Sequence, residues 1–199
     1  WSLSPSNIVK PVYYVTVENF SEFKSMEPEP GKRVRIRVYT KDKNPVALPI
    51  QLSLEELSEE PGECLNKENS GEESADIRFD TSSASAEVME IGKNVIRTKE
   101  PMSRFTIELE LRDYGAFGKL KVETVIDDIR ETVNTDFNGK PVLHLPYDEN
   151  ENKIADSWEK EHRIYGKNLK GDWDGETNPE LNGKAGDGLT LYEEYRGVF

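Results

Sequence analysis

Cysteine is almost missing from this chain: Cys64 is the only one in 199 residues. A single thiol forms no internal disulfide and assembles no Cys-rich metal site, and Cys64, set in a glutamate-rich run, reads as incidental. Histidine is nearly as scarce, with only His144 and His162. Neither falls in an H-E-x-x-H pattern, which excludes a helix-borne zinc protease site. There is no G-x-S-x-G elbow, no Cys–His context around Cys64 and no glycine loop of the kind that cradles phosphate. Carboxylate pairs of the glycosidase type carry no information in a chain with 39 acidic residues, because such pairs are countless there. The chain therefore reads as non-enzymatic.

Long apolar runs are lacking too. None approaches the roughly 18 residues that a membrane-spanning helix needs, so no membrane insertion is expected. Positive charge is the minority sign, 26 basic against 39 acidic residues for a net −13. Such a balance repels nucleic acid and anionic surfaces and suits a protein that binds cations or neutral ligands. The sequence begins at Trp1 instead of Met and is read as a piece of a longer protein, in which a targeting leader is not observable.

What is present is alternation. In "KRVRIRVYT", Lys32 to Thr40, Val34, Ile36 and Val38 face one way and Arg33, Arg35 and Arg37 the other, the period of a half-buried strand. "LPIQLSLEEL" repeats it through Leu48, Ile50, Leu52 and Leu54, "SRFTIELELR" through Phe105, Ile107, Leu109 and Leu111, and "GKLKVETVID" through Leu120 and Val122. "PVYYVTVEN" is rich in β-branched and aromatic residues, and "SAEVMEIGKNVIRT" offers one or two short strands broken at Gly92. Short alternating runs separated by turn residues predict a mainly β protein, an antiparallel two-sheet sandwich. A barrel or a mixed α+β domain stays open at this point. Residues 55–76 hold nine acidic residues and one basic, Lys67, and read as a long solvated insertion between strands.

The segment "LRDYGAFGKLKVE" spaces Asp113, Gly115 and Phe117 as Asp-x-Gly-x-aromatic ahead of an alternating strand. It resembles the corner before strand F of immunoglobulin-like domains, and it implies an Ig-like sandwich over residues 1–145. Phe117 stands where that corner has tyrosine, and Lys119 where true immunoglobulins have their second cysteine. A plain glycine turn between two strands fits the same residues.

The strongest pattern lies in "PYDENENKIADSWEKEH", Pro146 to His162. Counted from Asp148, oxygen-bearing side chains fall at positions 1, 3, 5, 9 and 12: Asp148, Asn150, Asn152, Asp156 and Glu159. Ile154, at position 7, would offer its carbonyl. These are the positions at which a twelve-residue EF-hand loop surrounds calcium with hard oxygen ligands. "ADSWEKEHRIY" is the expected exit helix, with Asp156 near its positive end. Lys153 takes position 6, where glycine usually makes the sharp turn, and the entering "GKPVLHLPY" reads as a strand ending at Pro146. The segment resembles the calcium loops of dockerins, thrombospondin type 3 repeats and bacterial extracellular proteins.

A second half-motif, "GDGLTLYEEYRG", resembles the partner segment of those proteins. The resemblance implies Asp187, the Leu189 carbonyl and Glu194 as ligands, but Gly183, Ala185 and Leu191 bring no side-chain oxygen to the remaining positions. Asp172 and Asp174, in "GDWDGETN", are candidates to complete it; a degenerate loop that serves only as a packing partner is the alternative. Trp158, Ile164, Tyr165, Leu189, Leu191, Tyr192 and Tyr195 would form a small core between two short helices.

The expectation is thus an Ig-like β-sandwich at 1–145 and an EF-hand-like calcium segment with two short helices at 146–199. It would be a non-catalytic structural or adhesion module of a secreted or cell-surface protein, where millimolar calcium fills a site of moderate or weak affinity. The alternative is an accessory module of a larger extracellular hydrolase that binds a glycan or a protein ligand. A glycan site would need aromatics in a row on one sheet face, and only Tyr13, Tyr14 and Tyr39 are in position for that.

Overall fold

Side chains that alternate between apolar and polar can bury one face only if a second sheet covers it, and this is how the chain folds. The computed structural model describes residues 11–58, 75–126, 129–167, 169–172 and 189–196. In chain order the elements are β1 (Tyr13–Val17), α1 (Phe20–Phe23), β2 (Arg33–Thr40), β3 (Ile50–Glu55), β4 (Ile77–Asp80), a 3-10 turn (Thr81–Ser83), β5 (Val88–Gly92), β6 (Val95–Thr98), β7 (Arg104–Leu111), β8 (Gly118–Ile126), β9 (Ile129–Thr132), β10 (Asn134–Thr135), β11 (Val142–Leu145), α2 (Asp156–Glu161) and α3 (Leu191–Arg196). One sheet runs β10-β1-β2-β7-β4. The other runs β11-β8-β3-β6-β5, with β9 also paired to β8. Pairing among the described strands is antiparallel except between β1 and β10, which run parallel and depart from the all-antiparallel expectation.

The inward faces of both sheets share one core. Val34, Ile36 and Val38 of β2, Phe105, Ile107, Leu109 and Leu111 of β7, Ile50 and Leu52 of β3, and Leu120 and Val122 of β8 are all buried in it. On the outward face of the first sheet the arginines expected there are exposed and tied across strands to carboxylates. Arg33 reaches Asp80 at 2.7 Å and Glu108 at 3.0 Å, and Arg35 reaches Glu108 at 2.5 Å. The second sheet departs from simple alternation, because Gln51 and Ser53 of β3 are buried as well. Gln51 is satisfied there, donating to Glu123 at 3.2 Å and accepting from Arg97 at 2.7 Å, as a buried amide must be.

A second, smaller cluster gathers Ile154, Ala155, Leu169, Leu191 and Tyr195, with Trp158, Ile164 and Tyr192 partly buried against it. Two expected members are elsewhere. Tyr165 is 41% exposed, its hydroxyl drawn out to Glu149 at 3.0 Å, and Leu189 is only half-buried and outside the cluster. The middle of the acidic insertion, with Cys64, lies outside the described residues, as do Asp174 and Asp187.

Candidate metal centre

The loop at 148–159 is anchored before it begins. After β11 the chain passes a cis Leu145–Pro146 bond and lodges Tyr147 against Phe20 and Phe23 of α1, with ring centroids at 5.6 and 6.2 Å. The Asp156 N–H then returns to the Tyr147 carbonyl at 3.0 Å, which closes the loop on its own entrance. At the far end α2 begins, and Ser157 Oγ donates to the Met26 carbonyl at 3.3 Å. A strand and a helix, both fastened to the larger core, therefore hold the loop's two ends.

Inside it the short polar side chains organise the backbone. Asp148 accepts from the N–H groups of Glu151 at 2.7 Å, Asn152 at 3.3 Å and Lys153 at 2.7 Å. Asn150 Oδ1 accepts from the Asn152 N–H at 3.2 Å, and Asn152 Oδ1 from the Ile154 N–H at 2.9 Å. These are Asx turns in series, and they curl the chain round the side chains at positions 1, 3 and 5. Lys153 makes the sharp turn at φ +73, so the left-handed conformation is reached without glycine, at a cost of roughly 1–2 kcal/mol. Its ammonium lies over the Phe117 ring at 4.8 Å, pointing the chain's one position-6 charge at the sandwich.

The carboxylate of Glu159, at position 12, meets this arc from the helix side. Asn150 Nδ2 lies 3.3 Å from both of its oxygens, and Asn152 Nδ2 lies 2.9 Å from one and 3.1 Å from the Leu169 carbonyl. Asp156 and Glu159 are 0% exposed and Asp148 is 7% exposed. Asp156 Oδ1 accepts from the Glu149 N–H at 3.0 Å, while Oδ2 is buried without a hydrogen bond, its nearest cation being Lys160 Nζ at 3.6 Å. Asp148, Asp156 and Glu159 make this part of the loop acidic. Burial pushes the Asp148 carboxyl up to about 6 despite its three backbone N–H bonds, and burial likewise raises Glu159 despite the two amides. Among the described residues no three His, Cys, Asp or Glu side chains are grouped around a common point as bare metal ligands.

The structure sets Asn150 and Asn152 against Glu159, and puts Asp148 and Asp156 on backbone N–H groups of the same loop, with Ile154 buried. Asp172 is exposed beside Gly171, at a cleft that Asn150, Asn152 and Thr190 also line. Gly171 itself abuts the loop, since a Cβ there would lie 2.8 Å from the Asn152 carbonyl oxygen. Leu189 and Glu194 belong to the approach and body of α3, and Glu194 donates its N–H to the Thr190 carbonyl at 2.9 Å. Not foreseen was the role of Thr190 and Glu193. Thr190 Oγ1 accepts from the Glu193 N–H at 3.2 Å, and Glu193 Oε2 accepts from the Thr190 N–H at 2.7 Å, a reciprocal cap that starts α3. The T-x-x-E spacing in "TLYE" carries that signal. Nor was Arg196 foreseen, which ion-pairs with Asp76 and Asp113 in the sandwich.

His144 faces Glu151 at 3.9 Å beside the loop, and His162 caps α2 with its ring stacked on Trp158. Of the three tyrosines considered for a glycan face, Tyr13 is in the core, its hydroxyl donating to the Val46 and Met102 carbonyls. Tyr14 and Tyr39 remain as a pair on the outward face, centroids 6.0 Å apart.

No protein-family model matches the chain, and no curated protein matches it. Among solved structures it is similar to the human F-spondin reeler domain (fragment 1), at 16% identity and a TM-score of 0.43, over 72% of this chain and 100% of that one. It is also similar to the Reelin-N domain of F-spondin, at 14% identity and a TM-score of 0.42, over 69% of this chain and 86% of the other. Likeness at this level carries no function across. No helix among the described residues is long and apolar enough to cross a membrane.

Proposed function

We propose that this chain is a non-catalytic, calcium-binding module of a secreted or cell-surface protein, an immunoglobulin-like sandwich with a calcium-held segment clamped to its corner. The observation that carries this reading is the loop at 148–159. Oxygen-bearing side chains occupy the five positions an EF-hand loop uses, and three of them are buried carboxylates, Asp156 with Lys160 Nζ 3.6 Å away. Asp148, Asn150, Asn152, Asp156, Glu159 and the Ile154 carbonyl would hold the ion. Two amides in place of carboxylates weaken the hold on a cation, and this suits the 10⁻⁴–10⁻³ M range typical of extracellular modules, at roughly millimolar ambient calcium. Calcium would act by fixing the junction between the sandwich and the C-terminal segment.

Calorimetric titration of the full chain tests this reading. Calcium should give a saturable heat with about one site per chain, and magnesium, which dehydrates reluctantly and demands a tighter octahedron, should bind far more weakly. A flat titration with calcium up to 10 mM would remove the proposal.

A further inference from the structure

The corner between β7 and β8 carries a notch with a specific occupant. Arg196, at the end of α3, places Nη2 3.0 Å from Asp113 Oδ2, and both its Nη atoms 3.4 Å from Asp76 Oδ2. Arg196 is 3% exposed, and Asp76 and Asp113 1% each. Gly115, at φ +61, lies directly under the helix. A Cβ there would meet Arg196 Cγ at 2.6 Å and its Cα at 3.1 Å, so only glycine lets the two backbones approach. One turn earlier, Tyr192 sets its ring edge-on to Phe117 at 6.1 Å and accepts through its hydroxyl from Arg196 Nη1 at 3.0 Å.

The other side of α3 belongs to the metal loop. Leu191 and Tyr195 pack with Ile154 and Ala155, and Tyr195 meets the Trp158 ring edge-on at 5.5 Å. The Tyr192 N–H donates to the Gly171 carbonyl at 2.9 Å, and Gly171 in turn is seated against Asn152. A helix of six residues is not stable by itself. It persists while both of its faces are held.

We propose that α3 is a latch: the corner made by Asp76, Asp113, Gly115 and Phe117 is its receptor, and the cation in the 148–159 loop sets whether it is closed. The inference rests on the calcium reading above. With calcium bound, Asn152 and Glu159 are fixed, so Ile154, Ala155 and Gly171 present a firm seat for Tyr192 and Tyr195, and Arg196 is delivered to the notch. With calcium withdrawn, the three buried carboxylates repel one another and the seat loosens. On its other face α3 is held by the ion cluster and the edge of Phe117, and a buried ion pair returns little more than the desolvation it costs. The helix leaves, exposing an acidic notch flanked by Phe117.

Hydrogen exchange read by mass spectrometry on the unaltered full chain, in 5 mM calcium and in chelator, tests the latch. Peptides covering 189–196 should exchange at least tenfold faster in chelator, while peptides of β7 and β8 stay protected. Glu159→Gln should make exchange at 189–196 indifferent to calcium, the two buffers agreeing within twofold. If calorimetry shows calcium binding but exchange at 189–196 differs by less than twofold, the latch is wrong and the calcium reading stands. If calcium neither binds nor alters exchange, both readings fall. Equal acceleration in β7 would mean general unfolding and would also overturn the latch.

Discussion

Glu159→Gln separates metal binding from loop folding, which a change at Asp148 cannot do. Asp148 accepts three backbone N–H bonds that shape the loop, so replacing it removes a scaffold as well as a proposed ligand. Glu159 accepts only from the side-chain amides of Asn150 and Asn152, and its burial disfavours the charged form. Glutamine keeps the shape and removes the charge. Without calcium the variant should therefore unfold within about 1 kcal/mol of the parent or above it, since one amide hydrogen bond is worth about that much. In calcium the two should part. For a dissociation constant of about 0.1 mM, 10 mM calcium stabilises by roughly 2.7 kcal/mol, which in a chain of this size raises Tm by about 5–10 °C. The parent should show that rise in differential scanning calorimetry and Glu159→Gln less than about 1 °C of it. A variant that still gains the full increment, or one that loses several degrees in chelator, would refute the assignment of Glu159 as the helix-borne ligand.

Other consequences follow from the same geometry. The Asp148 carboxyl, raised from 3.8 to about 6, holds its proton more tightly folded than unfolded. Calcium-free protein should accordingly lose up to roughly 3 kcal/mol as pH rises through that window and recover none of it above, as urea titrations at pH 4, 5, 6 and 7.5 would record. Calcium must displace the same proton, so its affinity should fall about tenfold between pH 7 and pH 5 in calorimetry; a pH-independent affinity would exclude Asp148 as a ligand. Gly115→Ala should cost about 2–5 kcal/mol in urea unfolding, from the left-handed φ and the overlap with Arg196 together, and a change below about 0.5 kcal/mol would contradict the close seating of α3. Leu109→Ala, at a fully buried position of β7, should cost about 2–5 kcal/mol yet leave calcium affinity within twofold, because Leu109 packs in the sandwich core and the loop's Ile154 and Ala155 in the separate smaller cluster.

The parts of the fold legible in the sequence are those where one face of a strand is wet. In β2 and β7 every second residue is apolar and the cross-strand partners are charged, so period and face were readable together. β4, β9 and β10 were not foreseen: four, four and two residues long, they are too short to show a period. The burial of Gln51 in β3 follows from contacts with Glu123 and Arg97, 72 and 46 residues away, and no local pattern contains such a partner. At the candidate site the curl of the loop was legible because the spacing of its Asp and Asn residues and its Asx turns are both local properties. Lys153 looked like an obstacle, yet a non-glycine residue takes the left-handed turn where the surrounding hydrogen bonds over-determine it. The Arg196 contacts were invisible for the opposite reason, since their partners lie 120 and 83 residues away. The same distance explains the corner: Asp113 and Gly115 read as strand-turn chemistry, and their use as a seat for α3 appears only when the C-terminal helix meets the middle of the chain.

The central claim is that a calcium ion occupies the 148–159 loop, and crystals grown in calcium and measured for anomalous scattering test it most directly. The account predicts one strong peak enclosed by Asp148, Asn150, Asn152, Asp156, Glu159 and the Ile154 carbonyl, with six to eight oxygens at about 2.3–2.6 Å and both Asn amides turned to present oxygen. A loop with no peak, in which the amide nitrogens still face Glu159 in saturating calcium, would contradict it.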